Sequence, residues 1–477
     1  MVIMLKVFLF YNYKGGIIVD SFFKLKENNT NVKTEIMAGI TTFVTMAYII
    51  FVNPNILKLA GMNEAGALGD AAAGIGFEDP IVGAVFVATC LAAAIGTLIM
   101  GLYANLPFGL APGMGLNAFF TYGVVLGLGY TWQEALAAVF ISGILFIILT
   151  ITGLREAIVN ALPDSLKRAI GGGIGLFIAL IGFQQGHIIV DNPATLIGFG
   201  DFTQSGTIVT LIGLFIIGVL MTRKIKGSIL IGIVATTIIS IPLGVTSIPT
   251  DFSFSIPSIA PTLFKADFIG LLNLGEVGLI GAIMSVITVV ISFSLVDMFD
   301  TIGTLVGTGA KAGFIGEDGK LKNMDKALFA DSIATSVGAL IGTSTTTTFV
   351  ESASGVSEGG RTGLTSVTIG ILFLLSLFLA PLVGMVPAEA TAPALIVVGV
   401  LMMTSIKHID FEDFSEALPA FLTMAIMPFS YSIANGIAAG LIFYPITKIA
   451  TGKAKEVHPA IYVLAILFIL RFTILPH

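Results

Sequence analysis

Charge is scarce in this chain, and so are the residues that hold metals. Only 11% of its 477 residues are Asp, Glu, Lys or Arg, against about 25% in a soluble domain. A single Cys excludes a disulfide framework, and with four scattered His it also excludes a Cys/His zinc site. Neither a metal nor a cofactor is therefore expected. Basic stripes with interleaved aromatics are missing, which removes nucleic acid as a partner. Near the N-terminus Lys6 precedes only the short apolar patch Val7–Tyr11, with no small-residue cleavage site, so a signal peptide is not expected.

What the chain has is hydrocarbon. Apolar residues make up 56% of it, and the mean hydropathy is +1.00. Apolar runs recur along the whole length, each able to cross a ~30 Å hydrocarbon core as helix. Spans are expected near 36–57, 81–103, 109–127, 132–153, 168–183, 206–222, 227–244, 278–306, 328–342, 351–358, 364–384, 391–405, 417–430 and 432–449. Those fourteen make an all-α polytopic protein of the lipid bilayer.

Basic residues orient it. Five lie in the N-terminal segment 1–35, and connections on the same side carry fifteen more, among them Arg155, Lys167, Arg168, Lys224, Lys226 and Lys320. The opposite side holds only Lys58 and Lys265, and Arg471 lies in the tail 451–477. This bias predicts a multi-pass protein of the cytoplasmic membrane with both ends of the fourteen-span unit cytoplasmic. Residues 459–475 add one more apolar stretch with Arg471 inside, and whether it spans or lies at the interface stays open.

Two spans interrupt themselves. Residues 106–120 read LPFGLAPGMGLNAFF, and residues 342–358 read GTSTTTTFVESASGVSE. The first break falls in the third span of the first seven, the second in the third span of the second seven. Seven is odd, so the halves must be inverted, giving a 7+7 inverted repeat. Paired interrupted spans at matching places mark a transporter's binding site, because non-helical backbone at membrane depth is tolerated only inside protein or along a cavity. The Thr345–Thr348 run favours an extended segment.

Acids inside the spans are few: Asp297 and Asp300 in SVITVVISFSLVDMFDTIGTLVGTG, Asp331 in the ninth span, and Glu351 at the second break. Each costs ~2.5–3.5 kcal/mol at mid-membrane on insertion scales, which makes it a candidate functional group. Asp300 and Glu351 are the stronger candidates; Asp297 and Asp331 serve equally well as helix anchors. Asn117, at the start of the first half-helix, either faces substrate or caps the helix. The Gly run at 170–177 reads as helix packing or as a smooth sliding face.

The motifs LAPGMGLNAFF, DMFDTIGT, TTTTFVESASGV and TTFVTMAYIIFVNPNIL (41–57) resemble the AzgA-type purine nucleobase permeases, within the superfamily that shares the uracil-permease fold. The resemblance runs from about Ser21 to the end and leaves the first twenty residues outside. It implies a core domain formed by 36–155 and 278–385 and a gate domain formed by 165–245 and 391–450. A purine base would bind between them, facing the two breaks, with import coupled to a cation, usually H+. It places the superfamily's span-eight acid on Asp300 and its span-ten acid on Glu351. Where pyrimidine and xanthine carriers often have His or Gln, this chain has Thr304, so the coupling proton falls to an acid. Relatives of this kind often form homodimers.

A carboxylate can accept N–H bonds from a flat neutral base, and charge-assisted bonds are the strong ones. Phe119, Phe120 or Phe349 could stack on its face. The expected division has Asp300 carrying the proton and Glu351 orienting the substrate, with the roles open to exchange. Three other readings compete. An oxoanion carrier of the same fold would be repelled by these acids. An intramembrane hydrolase would use Gly355-Val356-Ser357-Glu358-Gly359 as a nucleophile elbow, which needs a strand–turn–helix context. A channel would need symmetric subunits around one pore.

Overall fold

The computed structural model describes residues 16–153, 161–246, 255–272, 278–314 and 321–474. Lys6, Lys14, Arg155 and Lys320 lie outside these residues. Among them, nine helices are long and apolar enough to cross a membrane, and four shorter apolar helices accompany them.

In chain order the first unit holds α1 (Val32–Met46), α2 (Ile49–Leu57), α3 (Pro80–Ile99), strand β1 (Leu110–Pro112), α4 (Met114–Ala118, continuing as π-helix through Leu126) and α5 (Trp132–Ile151). Then come α6 (Asp164–Gln185), the hairpin β2 (Ile189–Asn192) and β3 (Leu196–Phe199), α7 (Ser205–Thr222) and α8 (Ser228–Ser240). The second half repeats the plan with α9 (Gly278–Ala312), α10 (Met324–Ile341), β4 (Thr346–Thr348), α11 (Ser352–Ser357) and α12 (Gly363–Ser376). It ends with α13 (Ala388–Met402), α14 (Phe414–Phe429), α15 (Ile433–Ala450) and α16 (Pro459–Ile474).

Side chains set several boundaries. Asn31 accepts a hydrogen bond from Thr34 N at 3.0 Å, so the first span starts about a turn before residue 36. That span is also bent at Ala47 and Tyr48, which places Tyr48 at the joint of α1 and α2. Thr131 and Glu134 close a capping box that starts α5. The hairpin β2–β3 is an addition to the all-helical expectation; it lies in the connection after α6.

Helix packing divides the molecule into two groups. In one, α5 packs on α10, α3 on α10 and α12, and α1 on α11 and α12; in the other, α6 packs on α13 and α14, α14 on α15, and α7 on α8 and α13. The glycines of 170–177 belong to this second packing. A Cβ on Gly175 would lie 2.7 Å from Gly399 O, and one on Gly173 would lie 2.6 Å from Met427 Sδ. Gly173 and Gly175 bring α6 onto α13 and α14 within one group, whereas Gly171 lines a cavity between the groups. The α16 helix lies against α15 and α9, with Arg471 donating to Asn435 Oδ1 at 3.0 Å.

Candidate functional site between the two broken helices

The two breaks meet. β1 and β4 pair antiparallel, Leu110 opposite Thr348, Ala111 opposite Thr347 and Pro112 opposite Thr346. A strand inside hydrocarbon must satisfy every backbone group within the protein, and the sequence supplies the partners. Gly113 N donates to Thr345 O and Phe349 N to Gly109 O, both at 2.9 Å. The Thr97 hydroxyl serves both sides of Leu110, donating to its carbonyl at 3.0 Å and accepting from its N–H at 2.9 Å. Thr335 Oγ1 donates to Thr346 O at 2.9 Å, and Gly109 N donates to Ser352 Oγ at 3.0 Å. The hydroxyls of Thr97, Thr335 and Ser352 thus fill backbone vacancies without bulk, whereas those of Thr345, Thr346 and Thr348 are buried with no hydrogen-bond partner among the described residues.

Glu35, not singled out by the sequence reading, holds the far end of the second break. Its buried carboxylate accepts from Arg361 N (2.8 Å), Thr362 N (3.2 Å), Thr365 N (3.2 Å) and Thr365 Oγ1 (2.6 Å). It thereby satisfies the orphan donors at the start of α12.

The four intramembrane acids separate by direction. Asp297 is fully buried and accepts from Thr335 Oγ1 at 3.3 Å. Asp331 is buried too and accepts from Thr301 Oγ1 at 2.8 Å, while Thr301 and Thr347 share a 2.7 Å hydroxyl bond. Asp300 and Glu351 instead line one cavity of about 960 Å³ between the two helix groups. Thr304, one turn beyond Asp300 on α9, lines it as well. Its opposite wall is apolar, with Ile170 and Ile174 of α6 and Val398 and Leu401 of α13.

Glu351 is anchored from a distance in sequence: Tyr48 Oη donates to Glu351 Oε1 at 2.8 Å. Among the described residues none donates a hydrogen bond to Asp300. Tyr48 escaped the sequence reading because an aromatic in an apolar span carries no periodic signal, and the bend beside it appears only in the structure.

The remaining candidates lie behind the cavity wall. Phe349 is nearly buried with its ring 6.4 Å from that of Tyr48. Asn117 is fully buried and accepts from the Ser344 hydroxyl, tying the first half-helix to the second break. Phe119 and Phe120 are fully buried, Phe119 edge-on to Phe293 at 4.7 Å. None of these four lines the cavity. In the Gly355–Gly359 segment Ser357 is the last residue of α11 and does not sit on the turn between β4 and that helix, and its Oγ donates to Ala353 O at 2.7 Å.

The cavity reaches the basic side of the protein, where Lys167 and Arg168 at the start of α6, and Lys224 and Lys226 between α7 and α8, line it. Lys167 pairs with Asp164 at 2.9 Å, and Lys226 pairs with Glu358 across the two helix groups.

Comparison with known proteins gives a consistent result. A family model described as Permease family (Xan_ur_permease) matches residues 33–439. A putative permease of Methanocaldococcus jannaschii is 51% identical over 96% of this chain and 98% of its own. The adenine permease AdeP of Escherichia coli is 44% identical, covering 96% of each chain. The guanine/hypoxanthine permease PbuG of Bacillus subtilis is 45% identical over 96% of this chain and all of its own. Among solved structures, the transmembrane domain of the cyanobacterial bicarbonate transporter BicA matches with a TM-score of 0.58 at 15% identity, covering 86% of this chain and 97% of that one. SLC26A9 matches with a TM-score of 0.60 at 12% identity, covering 94% and 71%. These two likenesses establish the fold.

Proposed function

Since the chain belongs to the Permease family, we propose that it imports purine nucleobases across the cytoplasmic membrane, coupled to a cation, with H+ the expected one. Full-length relatives named for adenine and for guanine/hypoxanthine support the purine class. The observation that carries the reading is the cavity at the two breaks, where Asp300 and Glu351 face an apolar wall. The acids argue against an oxoanion, although the fold is shared with a bicarbonate transporter.

A purine would lie flat against Ile170, Ile174 and Val398 and present its N–H edge to Glu351. Tyr48 occupies one oxygen of that carboxylate and leaves the other for the base. Asp300, without a donor of its own, is the better placed to bind and release the coupling proton. The groups holding α1–α5 and α9–α12 act as core, those holding α6–α8 and α13–α15 as gate, and the core carries the base as it moves. Uptake of labelled adenine, guanine, hypoxanthine and uracil into proteoliposomes tests this. Asp300→Asn should abolish pH-sensitive uphill uptake, and Glu351→Gln should raise the base KM at least tenfold. Full uphill, pH-sensitive transport by Asp300→Asn would remove that residue from its role, and uptake of uracil alone would overturn the purine reading.

A further inference from the structure

The cavity is much longer than a nucleobase needs. On α9 its lining runs from Val296 to Gly307 and on α6 from Asp164 to Ile174; the stretch between the acids and the basic residues is Asp300 to Gly307 on one wall and Ile174 to Lys167 on the other. At 1.5 Å per residue, seven residues amount to about 10 Å of depth along each wall. Toward the inner end lie the carboxylates of Asp300 and Glu351, and toward the outer end four cations with one carboxylate, Asp164, among them. Two of those cations are already engaged, Lys167 by Asp164 and Lys226 by Glu358. Among the described residues Arg168 and Lys224 have no ion-pair partner. Cationic bias alone would be met by basic residues anywhere on this side; here two unengaged ones face the same cavity that ends at Asp300 and Glu351.

Resting on the purine reading above, we propose that the cavity binds a purine nucleoside 5′-monophosphate from the cytoplasm as a non-transported inhibitor, with its base at Glu351 and its phosphate on Arg168 and Lys224. Guanidinium and ammonium groups are the usual phosphate ligands, Arg through its fork and Lys as a point charge. A free base touches mainly the inner end and can travel with the moving group. A nucleotide would reach from Glu351, in one helix group, to Arg168 and Lys224, in the other, and so would tie the two together and hold the cavity open inward. Such a ligand is the product of phosphoribosyl transfer onto the imported base, so the carrier would slow as its cargo accumulates in converted form.

The test uses the full-length protein in proteoliposomes, with base counterflow measured while AMP or GMP is present on the side to which the cavity opens. Ribose 5-phosphate and inorganic phosphate serve as base-free probes. Nucleotide should inhibit competitively with base, and the base-free probes should inhibit at least tenfold more weakly. Arg168→Gln and Lys224→Gln should each raise the inhibition constant at least tenfold while base counterflow stays within twofold of the parent. Equal inhibition by inorganic phosphate, no inhibition by nucleotide, or inhibition unchanged in both variants would each overturn the proposal. Absence of purine counterflow in the parent protein would instead defeat the purine reading, and is scored first.

Discussion

Tyr48 and Glu351 are 303 residues apart in the chain, yet the phenol of one donates to the carboxylate of the other at 2.8 Å. The bond joins the bend of the first span to the second break, and it fixes one oxygen of the acid proposed to hold the base.

Tyr48→Phe removes that bond and little else, because the ring keeps its buried place beside Phe349. A hydrogen bond to a charged group contributes about 1.5–3 kcal/mol, and 1.4 kcal/mol is a tenfold change in affinity. The expected result is a base KM raised roughly tenfold or more, with the thermal midpoint in detergent lowered by a few degrees at most. An unchanged KM would mean that Glu351 is oriented by something other than Tyr48.

Glu35→Ala should be far more damaging to the fold than to the site. It strips the acceptor from Arg361 N and Thr362 N in a fully buried place and removes the short bond of the Thr365 hydroxyl, while Thr365 N keeps Thr362 O and that hydroxyl keeps Glu35 O, each at 3.2 Å. Unsatisfied buried donors cost about 1–3 kcal/mol each, so little monodisperse protein is expected on size-exclusion chromatography. Glu35→Gln keeps one acceptor oxygen and should fall between the two. A Glu35→Ala protein as stable as the parent would show that water replaces the carboxylate.

The contrast between Glu35 and Glu351 shows how far the sequence could be read. Gly, Pro and Thr clusters announce a break wherever they interrupt an apolar run, so both breaks and the acid beside one of them were legible. Their pairing was not, because no local pattern links Leu110 to Thr348. Glu35 sits at a span's start, where an acid reads as an ordinary first-turn residue. Asp300 stands out from Asp297, three residues before it, through its DTIGT motif, but only the packed helix shows that Asp297 meets Thr335 and that Asp300 lines the cavity. The Gly run at 170–177 allowed two readings; Gly173 and Gly175 pack within one group, while Gly171 lines the cavity between the groups.

Outside the membrane, Asp413 gives a pH signature. It caps α14, accepting from Ser415 N at 2.9 Å and from Ser415 Oγ at 2.7 Å, and it pairs with Lys453 at 3.0 Å. The Ser415 hydroxyl bond first, then the Lys453 bond, hold its carboxyl well below the usual carboxylate range. A depressed folded value means stability is present above the unfolded value of about 3.9 and is lost as pH falls below it. Asp413→Asn should therefore lower the thermal midpoint at pH 7 slightly, and the gap to the parent should narrow as pH drops through 4. A gap that stays constant down to pH 3 would exclude the ionised cap as its source.

Gly399 and Gly175 make the sharpest packing prediction, since Gly175 in the middle of α6 and Gly399 near the end of α13 meet backbone to backbone. A Cβ on Gly399 would lie 2.5 Å from Gly175 O and 2.8 Å from Ala179 Cβ. A backbone carbonyl inside α6 cannot swing aside, so α6 and α13 must separate along a contact that Ile178 and Leu395 keep buried on either side. Overpacking of this kind costs about 1–3 kcal/mol, and Gly399→Ala should lower the thermal midpoint by several degrees. Gly218 on α7 has nothing within 4 Å of the corresponding position. There the added methyl only improves helix propensity, by about 0.5–1 kcal/mol, so Gly218→Ala should raise the midpoint. Opposite signs for the same chemical change would locate the effect in the α6–α13 contact; equal signs would refute it.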